Sequence, residues 1–343
     1  MKVAVVGAGS WGTTVAGIVS AHADTMLWSR QAEVAESVNT DHTNPGYLPD
    51  AVLPDDLVAS TSLEETLRDA DVVVMGVPSH GIRDVLTSGS GWVGSSTPVV
   101  SLAKGVERGT NLRGTQVILE VLEGHDPQTV GVLTGPNLAR EVVEGQPAAS
   151  VIAMANESVA QDLQALFMTP TFRVYTNPDV VGCEIAGALK NVMAIAAGIA
   201  SGLGYGDNTM AALLTRGLAE LTRLGLAVGG HALTFGGLAG VGDLIATCTS
   251  EKSRNRTVGY ELGKGRSLDE ITSSMNMVAE GVKSTAAVLE IARANEVEMP
   301  IAEQVGAVLY DGRAPRDIVP ALMMREATSE GHGMAEARRR GST

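Results

Sequence analysis

Several short stretches of this chain put reactive side chains where packing alone does not need them. Lys190 lies in EIAGALKNVMAIAAG, where almost every neighbour is apolar or small. An ammonium in that setting is unfavourable unless it is paired or used in chemistry, and Asn191 beside it adds an amide. The alternative is a lysine that reaches water from a helix edge. Asp243, in LAGVGDLIATC, is a carboxylate among glycines and apolar residues. Thr247 follows four positions later, so one helical turn sets both on one face. Ser253, Arg254 and Asn255 then offer a hydroxyl, a cation and an amide in a row. A guanidinium presents a two-pronged fork to phosphate, although SRNR also reads as a polar loop. Lys104 follows the strand-like PVVSLA, at the strand end where open α/β sheets bind ligands. In LTGPNLARE, Gly135 to Ala139 lead from a strand into a helix, another place where backbone meets a ligand.

The N-terminal VAVVGAGSWGTTVA carries Gly7, Gly9 and Gly12 as G-x-G-x-x-G between a strand and a helix. In that context the first glycine permits a tight turn, the second a close approach to pyrophosphate, and the third close helix–strand packing. The helix start supplies N–H groups and a positive dipole end. About 20 residues on, an acidic residue would bind an NAD ribose. Here the place is held by Ser29 and Arg30, and a guanidinium pairs with a 2′-phosphate. The expectation is therefore NADP(H) ahead of NAD(H), with an ordinary surface arginine as the competing explanation of Arg30.

Strand-like runs alternate with helical segments through the first half, at KVAVV, TMLWS, LVAS, DVVVMGV, PVVSLA, TVGVLTG, ASVIAMA and FRVYT. Continuous apolar strands of this kind predict an α/β fold, a Rossmann-like doubly wound, mostly parallel sheet covered on both faces. Ser62 with Glu65 three residues on predicts a capping box. After Asn177-Pro178 the strand signals stop and an all-α C-terminal domain is expected. Its helices include one over DVVGCEIAGALKNVMAIAAGIASGL and others near Thr209–Val228, Ser284–Asn295 and Ile301–Tyr310. The expected division is residues 1–177, 178–330 and a flexible tail at 331–343. The length of 343 residues suits two domains at roughly 100–200 residues each. Only 3% of residues are aromatic, so the core must be built mostly from Ala, Val, Leu, Ile and Met.

The net charge of −14 argues against a general nucleic-acid or membrane-surface binder, while leaving room for a phosphorylated small molecule in a locally cationic pocket. No run reaches about 18 uninterrupted apolar residues, so no membrane insertion is expected. MKVAVVG lacks the length of a signal peptide. Cys183 and Cys248 match no redox or zinc spacing and the six histidines no metal pattern, so no metal is expected and the thiols read as buried and reduced, in the cytoplasm.

Taken together, GAGSWGT, NPGYLP, VPS, KG at Lys104, GPNLA, ALKN, GVGDL, SRN and VAEG occur in an order and spacing that resembles bacterial NAD(P)-dependent glycerol-3-phosphate dehydrogenases over nearly the whole chain. The resemblance implies reversible reduction of dihydroxyacetone phosphate to sn-glycerol 3-phosphate, for phospholipid synthesis. It implies Lys190 as proton donor and acceptor, Lys104 on the same oxygen, and Asp243 orienting Lys190 with Thr247 and Asn191 assisting. Ser253, Arg254 and Asn255 would hold the phosphate, with Gly135 and Asn137 also on the substrate. Asn137 and Leu138 stand where many relatives have Ser-Phe or Thr-Phe. Ser10, Trp11, Arg30, Lys104, Ala139, Arg254, Val278 and Glu280 are implied cofactor contacts, and a homodimer is implied. Hydroxyacid dehydrogenases and ketopantoate reductases would also use a helix-borne lysine, but have no need of the phosphate triplet. A non-catalytic redox sensor would need none of Lys190, Lys104 and Asp243.

Overall fold

The protein is described from a computed structural model covering residues 1–275 and 279–332. The chain forms two compact units. The first comprises Met1–Ala103 and Leu112–Val180. The second takes in the described residues from Val181 onward and also Lys104–Asn111, a segment that a division at residue 177 leaves with the sheet.

The first unit is built on one eight-stranded sheet: β1 (Lys2–Val6), β2 (Asp24–Trp28), β3 (Val58–Ser60), β4 (Val72–Met75), β5 (Val99–Ser101), β6 (Val130–Thr134), β7 (Ala148–Ala153) and β8 (Phe172–Asn177). The order is β3-β2-β1-β4-β5-β6-β7-β8. Every pairing is parallel except β6 with β7. Alternation along each strand makes two cores. Val3, Val5, Val72 and Val74 face one helical layer, and Ala4, Val6, Val73 and Met75 face the other. Burial on both faces explains why these strands read as unbroken apolar runs. Ser62 caps the helix Leu63–Leu67 by accepting from the Glu65 N–H at 3.1 Å. The second half of the expected capping box is absent, because the Glu65 carboxylate accepts from Ser60 Oγ instead.

The second unit is helical and packs around Val180–Gly202, in which every residue from Gly182 to Ala200 is buried. This helix crosses Arg254–Gly263 almost backbone to backbone. A Cβ on Gly198 would lie 2.1 Å from the Arg256 carbonyl oxygen, and one on Gly259 2.0 Å from that of Ile195. Side chains normally keep packed helices about 8–10 Å apart, so small residues at this crossing are required by contact. Among the described residues two helical stretches, Val180–Gly202 and Ala232–Thr249, are long and apolar enough to span a bilayer by composition alone. The first is the core helix just described. The second is broken by a π-turn at Leu238–Gly242 and carries the buried Asp243.

One buried carboxylate outside the expected site also shapes this unit. Glu220, 2% exposed on the helix Asp207–Ala227, accepts from the N–H groups of Ile301 at 2.7 Å and Ala302 at 3.3 Å. It thereby caps the helix Pro300–Tyr310 from a neighbouring element. Burial pushes its pKa from the ordinary 4.5 to about 7, against the opposing pull of those two N–H groups and Arg223. The native state therefore holds this proton more tightly than the unfolded chain. Glu220 contributes stability that is fully present below about pH 4.5 and lost as pH rises through about 7, on the order of 3 kcal/mol. Denaturant unfolding across this range should show the decline in wild type and lose it in Glu220→Gln. Parallel curves for the two proteins would contradict a raised native pKa.

Candidate active site

The second unit gathers most of the reactive residues singled out in the sequence. Asp243 opens the helix Asp243–Thr249 directly after the π-turn. Its carboxylate is shared between two lysines: Oδ1 is 2.9 Å from Lys190 Nζ, and Oδ2 is 2.9 Å from Lys104 Nζ. Lys190 also donates to Thr247 Oγ1 at 2.7 Å, and Thr247 donates to Asp243 Oδ1 at 3.1 Å. The four-residue spacing of Asp243 and Thr247 thus places both on one face, as expected. Lys190 is no snorkelling lysine, since it is 4% exposed in the middle of a buried helix.

Charge balance around Asp243 is uneven. Burial raises its pKa, but the Lys104 and Lys190 charges and their hydrogen bonds outweigh that and hold it below the usual carboxylate range. Burial lowers the Lys104 amine and the Lys190 charge adds to this, with Asp243 opposing, so Lys104 stands at about 8. Its side chain keeps 14% of its surface, the most open position of the three. Cys248, buried nearby, is pushed up to about 12 by burial and is an inert thiol.

A chain of amides fixes the cluster from behind. Asn191 Nδ2 donates to the Lys104 carbonyl at 2.8 Å, Asn255 Nδ2 donates to Asn191 Oδ1 at 2.9 Å, and the Gly281 N–H donates to Asn255 Oδ1 at 2.9 Å. Gly281 ends the VAEG stretch, and its backbone role has no side-chain signal in the sequence. A Cβ there would lie 2.7 Å from Asn255 Oδ1. Asn255 is thus engaged within the protein through both its amide nitrogen and its amide oxygen. Ser253 caps the helix Arg254–Gly263 by accepting from the Arg256 N–H at 3.3 Å, so SRNR is a helix start and not a loop. Arg254 is exposed in its first turn. Glu280, first residue of the helix Glu280–Ala294, acts electrostatically on Lys104. Val278 lies outside the described residues, as do residues 333–343 of the expected tail.

The remaining candidates belong to the first unit. Gly7 has φ +123° and a Cβ there would meet the Gly76 backbone at 2.8 Å, while a Cβ on Gly12 would sit 2.0 Å from the Gly7 carbonyl oxygen. Gly9 faces open space. The helix Ser10–Ser20 has no side-chain cap at Gly9. Trp11 stacks at a tilt on Phe172, 6.0 Å between centroids, and its buried Nε1–H has no protein partner. An open glycine, an uncapped helix start and an orphaned indole donor fit a bound dinucleotide phosphate. Arg30 is exposed just beyond β2. The Ala139 carbonyl accepts from Thr14 Oγ1 at 3.4 Å, which brings Ala139 beside that helix. Asn137 is buried and donates to Ser150 Oγ at 3.3 Å, and Gly135, at φ +128°, packs on the same residue. Among the described residues no group of His, Cys, Asp and Glu is arranged to hold a metal.

A Rossmann-like sheet with an open glycine turn, together with a helical unit holding two lysines on one aspartate, defines a two-domain nucleotide-dependent dehydrogenase. The chain belongs to the NAD-dependent glycerol-3-phosphate dehydrogenase family, whose N-terminal model matches residues 2–160 and whose C-terminal model matches residues 179–320. It is 53% identical to glycerol-3-phosphate dehydrogenase (NAD(P)+) 2 of Sphingopyxis alaskensis, over 97% of this chain and 99% of that one. It is 52% identical to glycerol-3-phosphate dehydrogenase (NAD(P)+) 1 of Mycobacterium tuberculosis, over 97% of both. The crystal structure of the Coxiella burnetii glycerol-3-phosphate dehydrogenase superposes with a TM-score of 0.89 at 35% identity, over 94% of this chain and 99% of that one. A ketopantoate reductase from Ralstonia eutropha shares the fold alone, at 16% identity and a TM-score of 0.55.

Asp243 is the main influence holding the Lys104 ammonium charged against its burial. In Asp243→Asn the Lys104 amine should therefore titrate below its wild-type value of about 8, read by NMR of labelled lysine side chains. An unchanged titration would mean that another group is the counter-charge.

Proposed function

We propose that this chain is an sn-glycerol-3-phosphate dehydrogenase that interconverts dihydroxyacetone phosphate and sn-glycerol 3-phosphate with NAD(P)(H). The observation that carries this is the buried Lys104–Asp243–Lys190 cluster with Thr247. The bound nicotinamide supplies and accepts the hydride. The protein's own part is to place the carbonyl, to proton-couple its oxygen and to stabilise developing negative charge.

In this proposal Lys190 Nζ gives a proton to the carbonyl oxygen during reduction and takes it back in the reverse direction. Asp243 Oδ1 and Thr247 Oγ1, at 2.9 and 2.7 Å, fix where that ammonium points. Lys104, the more open of the two, adds positive charge as the oxygen becomes alkoxide-like. The start of the helix Arg254–Gly263 takes the phosphate. Arg254 supplies the fork, Ser253 its hydroxyl hydrogen and Asn255 its side-chain amide. Asn137, tied to Ser150, and Gly135 are assigned to the substrate side. Gly7, Gly9, Ser10, Trp11, Gly12, Ala139 and Glu280 are assigned to the dinucleotide, with Arg30 favouring NADP(H) through the 2′-phosphate. A homodimer in the cytoplasm completes the proposal, and two buried cysteines suit a reducing compartment.

Initial rates with dihydroxyacetone phosphate and a panel of 2-oxo acids, each with NADPH and NADH, test the assignment. Turnover of the phosphate ester alone, faster with NADPH, is expected. Turnover of a 2-oxo acid without that of the ester would overturn the substrate class. In the same assay Lys190→Ala should lose about 10²–10⁴-fold in kcat while still binding dinucleotide. A near-normal kcat would remove Lys190 as the acid.

A further inference from the structure

The NPGYLP stretch is unused by the chemistry above, yet its first residue is wholly buried against the dinucleotide turn. Asn44 is 0% exposed. Its Nδ2 donates to the Ala8 carbonyl at 2.9 Å and to Thr13 Oγ1 at 2.8 Å, so both amide hydrogens are committed to the glycine turn and the helix behind it. Its Oδ1 is buried without a partner. A buried amide with an unsatisfied acceptor is a poor packing choice, and an apolar side chain would avoid the penalty. What the amide offers here is its pair of donors.

The loop that carries Asn44 is itself stiff. The N–H groups of Tyr47 and Leu48 both donate to the Asn44 carbonyl, at 3.1 and 2.7 Å. Ser10 Oγ donates to the Tyr47 carbonyl at 2.8 Å, a second tie between the loop and the start of the helix Ser10–Ser20. The Ala8–Gly9 peptide is trans. In a trans peptide the C=O and the following N–H point to opposite sides. Drawing the Ala8 carbonyl toward Asn44 therefore turns the Gly9 N–H away from it. Gly9 is also the turn glycine around which a Cβ would meet nothing within 4 Å.

We propose that Asn44 is a positioning residue for dinucleotide binding: by holding the Ala8 carbonyl and Thr13 Oγ1 it aims the Gly9 N–H into the space where the pyrophosphate lies. This rests on the assignment of the glycine turn to a dinucleotide.

Asn44→Ala and the milder Thr13→Val, which removes one of the two acceptors, test the proposal against wild type. NADPH titration gives Kd, hydrogen exchange reports the amides of residues 7–13, and steady-state rates give kcat at saturating NADPH. In Asn44→Ala the Kd should rise roughly tenfold and exchange across 7–13 should quicken, while kcat moves far less than Kd. Thr13→Val should shift the same quantities by less, and it decides the matter if Asn44→Ala does not fold. An unchanged Kd, or unchanged exchange across 7–13, would overturn the proposal, as would a kcat loss with Kd unmoved. Failure of wild type to bind NADPH would remove the dinucleotide assignment instead, and the exchange measurement would still decide whether Asn44 holds the turn.

Discussion

Asp243 places one carboxylate oxygen on each of two lysines inside a helical core. Withdrawing three charges from water is expensive, several kcal/mol for each ion even after relaxation. A buried network of this kind is weak evidence of stabilisation, since apolar replacements of similar volume often serve a fold as well. Its value is chemical. A single carboxylate pairs with both lysines and, in the proposed mechanism, sets them where one carbonyl oxygen meets both. The two lysines are held unequally, which suits the different tasks proposed for them: Lys190 is fixed by two partners at the centre of its helix, and Lys104 is the more open.

Much of the second unit follows from holding that cluster still. The helix bearing Lys190 has almost no large side chain to spare, and it approaches the helix bearing Arg254 and Asn255 through Gly198, Gly202, Gly259 and Gly263. That closeness lets Asn255 reach Asn191, and Asn191 reach the Lys104 backbone. A core with few aromatic residues is thus part of the site's construction. The first unit uses the same means at its glycine turn, where Gly12 lies on Gly7 and the buried Asn44 amide donates to the Ala8 carbonyl.

The sequence is most informative where one physical signal dominates. The central strands β4, β5 and β6 show as apolar runs because they are buried on both faces, while β2, β3 and β8 at the sheet's two ends keep one more open face, and the Asp243–Thr247 spacing shows because one helical turn relates them. The helix Arg254–Gly263 is poorly visible because it is held by glycine contacts and an N-cap and not by a wide apolar stripe. Lys104 looks like the end of a sheet strand, yet its segment packs with the helical unit, where Val106 is buried in the core. The amide chain from Gly281 to Lys104 joins residues 26, 64 and 87 positions apart, which no local pattern encodes. Cofactor choice is legible only as far as Arg30, a lone exposed cation.

The most direct test of one carboxylate serving two lysines is a double-mutant cycle in kcat for dihydroxyacetone phosphate reduction at saturating dinucleotide. It compares wild type, Asp243→Asn, Lys190→Ala and the double variant. Groups that act as a unit lose their effect together. The double variant is expected to be slower than Lys190→Ala, through the loss of Asp243's hold on Lys104, but by less than the full loss seen in Asp243→Asn alone. Losses that multiply in full would show that Asp243 and Lys190 act independently, and would contradict the shared cluster as the source of catalysis.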